Sequence, residues 1–437
     1  MNGDATVVGG GLAGLVAATR LAEAGANVTL YERRPEVGGR VRTETVDGFT
    51  LDRGFQVLFT SYPAVAAELD ADALDVRRFA PGATICRPGS RSTLSDPLRD
   101  PRGAIPSLLN DEVSFSDKLR TLALRYDLSK RADDDFFRGP DASIREYLRD
   151  WGFADEYIRN FVEPFYGGIT LDRDLSTSKQ VFEYTFRAMG RGAIGVPAAG
   201  MQAIPEALAA RAREAGVAIE TGADIESVRT AGQGRIPFRI GRADAEGATV
   251  ELADGSTREA DAVVVATTPP EARRLTGVDS IPTDGVPNVT GWYTLPAGES
   301  FETGRRILLN AAEKSPNAVV PMSEVAPEYA PDDRALLAAT FLGDASLDRP
   351  ADALRDDVQN ALEAWYPERD FSGLETVDVH RIRFAQFAQP PGVHDGLPDP
   401  DDPEGPVVLA GDYTEWSSIQ GALESGRRAA AVAGEHL

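Results

Sequence analysis

Gly9, Gly11 and Gly14 stand in G-x-G-x-x-G register, after the apolar run Thr6-Val7-Val8 and before the Ala-rich stretch Leu15 to Ala22. A glycine at the first position permits a tight turn. One at the second lets a pyrophosphate approach the backbone, and one at the third lets helix and strand pack closely. Ala13 lies in this loop, where free N–H groups at a helix start can hold a diphosphate with the help of the helix dipole. Gly25 stops the helix, Val28 to Tyr31 read as a second strand, and Glu32 comes next as an acceptor for ribose hydroxyls. A carboxylate there disfavours a 2′-phosphate, so these residues suit a dinucleotide other than NADP.

The residues after Glu32 narrow the choice. Pro35-Glu36-Val37-Gly38-Gly39-Arg40 places two glycines before an arginine, so backbone can fold over a phosphate while the guanidinium pairs with it. This extension resembles the glutathione-reductase-type FAD fold of the amine oxidase and phytoene desaturase superfamily. The resemblance implies FAD as the cofactor, with Gly39 and Arg40 near its diphosphate and Arg33 beside Glu32 among the contacts. Arg33 and Arg34 also read as a solvated basic turn.

At the far end, Val407 to Asp412 reads as a buried strand ending in Gly411-Asp412, followed by a helix that opens at Ser418. Asp412 suits hydrogen bonding to a ribityl chain, and Ile419 lies where the helix N-terminus would face the flavin ring and stabilise its anionic reduced form. Gly421, Ala422 and Gly426 are expected to keep this helix narrow beside the cofactor. The segment is similar to the superfamily's C-terminal FAD motif. By the same resemblance, Gly54, Phe55 and Gln56 pass near the flavin, and Ile225 meets the adenine through its backbone. No catalytic base is assigned, and no metal is expected.

The elements that must position these residues are spread along the chain. A helix over 206–215, a strand over 217–220, a β-meander including Phe238-Arg239-Ile240 and Thr249 to Leu252, and a buried parallel strand over 261–268 are expected. Pro269-Pro270 is expected to end that domain's continuity. The fold class is thus α/β, a discontinuous FAD-binding Rossmann domain over 1–79, 193–271 and 396–437. A mixed α+β substrate domain is inserted over 80–192 and 272–395. Ser143 and Glu146 form a capping-box pattern in the first, mostly helical insertion. The aromatic segment Phe161 to Ile169 suits either a pocket wall or a core. No second G-x-G-x-x-G appears, so a separate NAD(P)H domain is not expected.

Composition excludes other chemistries. In 437 residues, 45 Lys plus Arg stand against 69 Asp plus Glu, a formal charge of −24, which repels phosphate backbones and argues against nucleic acid. Only Lys118, Lys130, Lys179 and Lys314 are lysines; this Asp-rich, Lys-poor balance resembles proteins of a salt-rich cytoplasm. Cys86 is the single cysteine, which removes disulfides and iron–sulfur clusters, and reads as a small buried residue. His380, His394 and His436 show no ligand spacing, which disfavours zinc, haem and a Ser–His–Asp hydrolase. No apolar run is long enough to span a membrane and no signal peptide is read, so a cytoplasmic location is expected. Ile105, Leu108, Leu109, Val113, Phe115 and Leu119 fit either a peripheral membrane contact or a helix packed on its own domain.

Within the superfamily the desaturase branch resembles the chain best, on Phe161 to Ile169, Gly200 to Pro205, Ala326 to Pro331 and Ser418 to Gly426. The amine oxidases' substrate-domain lysine has no counterpart around Gly291 to Thr294, and Ile419 stands where they place a cage aromatic. The resemblance implies desaturation of a small apolar substrate, polyprenoid or carotenoid-like, by hydride transfer to flavin N5, with oxygen or a quinone as acceptor. The alternatives are a protoporphyrinogen-oxidase-like or amine-oxidising flavoenzyme and, more remotely, a non-enzymatic prenyl-binding escort protein of the GDP-dissociation-inhibitor type.

Overall fold

The computed structural model describes residues 3–95, 113–230, 247–298 and 301–437. Ile105, Leu108, Leu109 and the stretch Phe238 to Ile240 lie outside them. β1 (Asp4–Val8) and β2 (Asn27–Glu32) join strands Ala218–Thr221, Ala262–Val265 and Val407–Leu409 in a sheet whose strands are all parallel. In chain order the spatial sequence is 3-2-1-4-5, the doubly wound arrangement that puts the first strand–helix turn at the middle of the sheet.

Both faces of this sheet are covered, which is why its strands are near-continuous apolar runs rather than alternating ones. On one face α1 (Leu12–Glu23) packs against helices Ala203–Glu214 and Ile419–Ala433. On the other, Val8, Tyr31, Val263 and Val265 meet a three-stranded antiparallel sheet through Val250 and Ala260. That sheet is Ile225–Thr230, Ala248–Leu252 and Thr257–Ala260, so its first described strand starts at Ile225.

A second, seven-stranded sheet runs in the order Glu375–Phe387, Gly285–Pro296, Arg334–Leu342, Ala318–Pro321, Ile307–Asn310, Ala83–Arg87 and Ser90–Leu94. It draws strands from both stretches expected to be inserted. Tyr293, Leu337 and Phe341 on one of its faces form a core with helix Ala351–Trp365, while Trp292 and Ala338 belong to the main core on the other. Cys86 is buried in this sheet. The Ser143–Glu146 capping box is formed, and opens helix Ile144–Asp150.

Several local expectations change. Pro269 is the first residue of helix Pro269–Thr276, where the missing N–H costs no intrahelical bond. The helix expected over 206–215 begins at Ala203, because Pro205 falls in its first turn. The last parallel strand ends at Leu409, and Asp412 opens a short 3-10 turn. Gly421 and Gly426 are closely packed by backbone. A Cβ on Gly421 would lie 2.1 Å from the Trp416 carbonyl oxygen, and one on Gly426 would lie 2.4 Å from that of Ala13 in α1.

Four helical segments meet at one carboxylate. Glu68, with no side-chain exposure, receives Arg20 Nη2 at 2.6 Å and Arg211 Nη1 at 2.8 Å, with Arg427 Nε at 3.5 Å. A buried carboxylate needs donors in fixed directions, which guanidinium forks supply and a lysine ammonium does not.

His394 makes stability depend on pH. Its ring packs 4.8 Å from that of Phe137, and burial lowers its pKa to about 4. A histidine whose folded pKa lies below its unfolded value contributes stability that is present above about pH 6.5 and lost as pH falls toward 4. Urea titrations of the wild type and His394→Asn should therefore diverge across that window, the wild type losing about 2 kcal/mol more.

Candidate functional site

One continuous cavity of about 930 Å³ runs from the glycine loop to the helix Phe115–Ser129. That volume is at the upper end for small-molecule sites, about 300–1,000 Å³. Every residue singled out from the sequence as a cofactor contact lines it, except Gly14. Gly14 lies behind the wall, where a Cβ would meet the Gly9 carbonyl oxygen at 2.0 Å.

The loop is fastened from below. Glu32 Oε2 accepts from the Gly10 N–H at 2.7 Å and Oε1 from the Arg34 N–H at 2.9 Å. A carboxylate has about four lone-pair sites, so acceptors remain for hydroxyl groups. Gly11 is the N-cap of α1, and no side chain caps that helix. The Gly38 N–H donates to the Gly10 carbonyl at 2.8 Å. Gly39 has φ +61°, and a Cβ on it would stand 3.2 Å from the Gly11 Cα. Two strips of bare backbone therefore face each other beside uncapped helical amides, an arrangement that fits a diphosphate.

Arg40 has a partner that its sequence neighbours do not announce. Its Nη2 lies 2.6 Å from Asp412 Oδ1, and Asp412 Oδ2 accepts from the Ser417 hydroxyl at 2.8 Å. The GGR segment and the C-terminal motif are thus joined directly. Gln56 Nε2 donates to the Arg40 carbonyl at 3.0 Å, while Gln56 Oε1 is buried without a partner. Gly54 sits at φ +88°, and the Phe55 N–H donates to Thr290 Oγ1 at 3.2 Å, pinning this wall to the seven-stranded sheet. The Ile225 carbonyl already accepts from Arg274 Nη2 at 3.1 Å. Gly9, Ala13, Arg33, Gly411 and Ile419 complete the expected set on the wall.

Sequence reasoning missed other lining residues. Arg34 anchors the loop through the Gly39 carbonyl at 2.6 Å, and Thr267, Thr268 and Glu271 come after the fourth parallel strand at the cavity edge. From the strand that carries Gly291 to Thr294 the lining residue is Asn288, whereas Trp292 and Tyr293 are fully buried. The strand's two-residue alternation marks two faces but not which end reaches the cavity. Asn288 Oδ1 and Thr340 Oγ1, on neighbouring strands, are buried, unpartnered and on the wall.

The remaining wall is mostly aromatic and aliphatic, with Lys118, Thr121 and Arg125 among its polar residues. Phe161, Phe165 and Ile169 line it, the two phenyl rings stacked at 5.3 Å, which assigns that segment to the wall. Trp416 joins them from the C-terminal motif, held by Phe137 at 5.5 Å, Tyr62 at 5.9 Å and Tyr184 at 5.3 Å. Among the described lining residues the carboxylates are Glu32, Asp224, Glu271 and Asp412, all on the glycine-loop side.

The chain is similar to known proteins in sequence and in fold. A family model described as flavin containing amine oxidoreductase matches residues 12–433. The carotenoid 3,4-desaturase of Haloarcula japonica is 25% identical over 305 residues, 60% of this chain and 55% of that protein. Protoporphyrinogen oxidase 2 of Arabidopsis thaliana is 27% identical over 177 residues, 40% of this chain and 34% of that protein. The chain spans about half the length, or less, of the curated relatives it matches. An oxidoreductase from Methanosarcina mazei shares the fold with a TM-score of 0.75 at 18% identity, over 99% of this chain and 100% of that one. With the match running over nearly its whole length, this chain belongs to the flavin containing amine oxidoreductases, a family of FAD-dependent oxidoreductases.

Proposed function

We propose that the protein oxidises an extended apolar substrate, polyprenoid or carotenoid-like, using FAD held along the glycine-loop side of the cavity. The observation that carries this reading is the contrast between the two ends of one cavity. Hydrogen-bonding backbone, arginines and carboxylates line the glycine-loop end, and the other end is mainly aromatic and aliphatic, with Lys118 and Arg125 on helix Phe115–Ser129 as its cations. Bound there, FAD would supply a two-electron acceptor able to take a hydride. The protein's own part is then binding and orientation. Glu32 holds the ribose end, and the Gly11–Gly39 backbone accommodates the diphosphate. Phe161, Phe165 and Ile169 would hold an apolar chain and keep water out. An ammonium substrate would find no carboxylate among the described residues of that apolar wall, which favours a hydrocarbon over an amine. The likeness to a carotenoid desaturase points the same way.

A porphyrinogen is the second reading. It is supported by the likeness to a protoporphyrinogen oxidase and by Lys118 and Arg125 at the cavity wall, which could meet carboxylate groups. Oxygen or a quinone would reoxidise the flavin in either case.

The same wall suggests how an apolar substrate arrives. On helix Phe115–Ser129, Phe115, Leu119, Leu122 and Tyr126 are 69%, 51%, 45% and 65% exposed, and the first three also line the cavity. We propose that this stripe rests peripherally on a lipid surface, passing substrate from the bilayer into the cavity. No described helix is long and apolar enough to cross a membrane.

Three measurements test these readings. Anaerobic addition of phytoene to the purified protein should bleach the flavin absorbance. Bleaching by protoporphyrinogen alone would transfer the assignment to the second reading. Glu32→Ala should raise the Kd for FAD by about 10- to 100-fold, the loss of hydrogen bonds to a charged acceptor. Phe115→Ser/Leu119→Ser should lower co-sedimentation with liposomes at high salt while leaving the flavin spectrum unchanged; equal sedimentation of both proteins would reject the membrane contact.

A further inference from the structure

The three histidines are far apart in the chain and show no ligand spacing, yet folding sets one of them against two carboxylates. His380, on strand Glu375–Phe387, is 7% exposed. Its Nδ1 lies 3.2 Å from the backbone carbonyl oxygen of Asp52. A carbonyl only accepts, so that nitrogen carries a proton. The other ring nitrogen, Nε2, is shielded from solvent and has no hydrogen-bond partner. It lies 3.2 Å from Asp378 Oδ2 and 3.8 Å from Glu44 Oε2. The three atoms all lie within 4.8 Å of one another.

Three electron-pair donors facing one another repel unless something positive lies between them. An imidazole that gives one N–H to a backbone carbonyl and turns its other nitrogen toward carboxylates has the orientation of a metal ligand with its outer hydrogen bond in place. Tetrahedral bonds of about 2.0–2.2 Å hold ligand atoms roughly 3.3 Å apart, the spacing of Nε2 and Asp378 Oδ2, and Glu44 has to close in by about 0.5 Å to match it. The donor set, one imidazole with two carboxylates, suits zinc better than calcium or magnesium, which prefer oxygen alone. Glu44 turns its other oxygen toward Arg53 Nη1, 3.6 Å away, so the guanidinium and the proposed ion take opposite oxygens. The Glu44 and Asp378 side chains are 43% and 40% exposed, which leaves a solvent side for entry and for a water ligand.

We propose that Glu44, Asp378 and His380 form a binding site for a zinc-class divalent ion, separate from the flavin cavity. Glu44 lies on strand β3 (Thr43–Val46), hairpin partner of β4 (Phe49–Asp52). Its co-ligands lie on the seven-stranded sheet, and His380 also holds the end of β4, from which the cavity wall Arg53 to Gln56 continues. A bound ion clamps the hairpin to the sheet behind that wall. The ion site is independent of which substrate the cavity takes.

Holoprotein incubated with Zn²⁺ in excess Mg²⁺, then gel-filtered, should retain one zinc per chain by elemental analysis. Excess Mg²⁺ occupies carboxylate-only sites on this acidic surface. His380→Gln and Glu44→Gln/Asp378→Asn should each retain at least tenfold less. Zinc at a hundredfold over its Kd should raise the wild-type Tm by about 3 °C and leave the double variant unmoved. If the wild type retains no zinc, or the double variant retains as much, the site does not exist and the cluster is a contact of His380 with two carboxylates. The double variant alters only half-exposed side chains, so it carries the test even if His380→Gln does not fold.

Discussion

Close contact of backbone with backbone, with no side chain between, is the constraint on which the rest of this molecule depends. α1 lies so near the sheet that a Cβ on Gly14 would overlap the Gly9 carbonyl. The C-terminal helix lies so near α1 that one on Gly426 would overlap the Ala13 carbonyl. These approaches bring the uncapped start of α1, the Gly38–Gly39 turn and the C-terminal motif to one place. A bulkier residue at either glycine would push a helix outward by ångströms and open the cleft that the cavity needs. The fold therefore makes its ligand site by packing helices tightly, and the site inherits that rigidity.

Charge then locks what packing has brought together. Arg40 and Asp412 join segments from opposite ends of the chain at 2.6 Å, and Ser417 holds the second oxygen of that carboxylate. The same device recurs at Glu68, where three guanidiniums share one buried carboxylate. Such pairs carry a desolvation cost that only well-directed donors offset, so they act more as registers than as sources of stability. The preference for arginine over lysine in this chain thus has a use inside the protein, besides any link to a salt-rich habitat.

The boundary between the cavity's two ends is built from residues of different origin. Phe55 and Gln56 come after the β3–β4 hairpin, Asn288 and Thr340 come from the seven-stranded sheet, and Trp416 comes from the C-terminal motif. The Phe55 N–H to Thr290 Oγ1 hydrogen bond ties the first group to the seven-stranded sheet, and His380 Nδ1 against the Asp52 carbonyl ties the hairpin to the same sheet. Geometry at this junction thus depends on how two sheets sit against each other.

By itself the sequence determined the elements whose signals are local. The glycine register, the acid after β2, the helix starting after Ser418 and the parallel run at Ala262–Val265 are each set by backbone sterics or burial within a few residues, and each was legible there. Short-range signals also left structure unread. Pro269-Pro270 opens a helix that the residues alone do not announce, because proline suits both a turn and a first helical position. Gly421 and Gly426 have backbone carbonyls where a Cβ would stand, which the residues do not announce, because a missing Cβ does not say what occupies its place. Only the tertiary structure decided which distant groups meet: Arg40 with Asp412, His380 with Glu44 and Asp378, and Asn288 rather than Trp292 on the cavity wall. The physical reason is that side-chain direction repeats every two or 3.6 residues and can be read along the chain. What a side chain faces is fixed by how whole sheets and helices dock, and that depends on the packing of all of them at once.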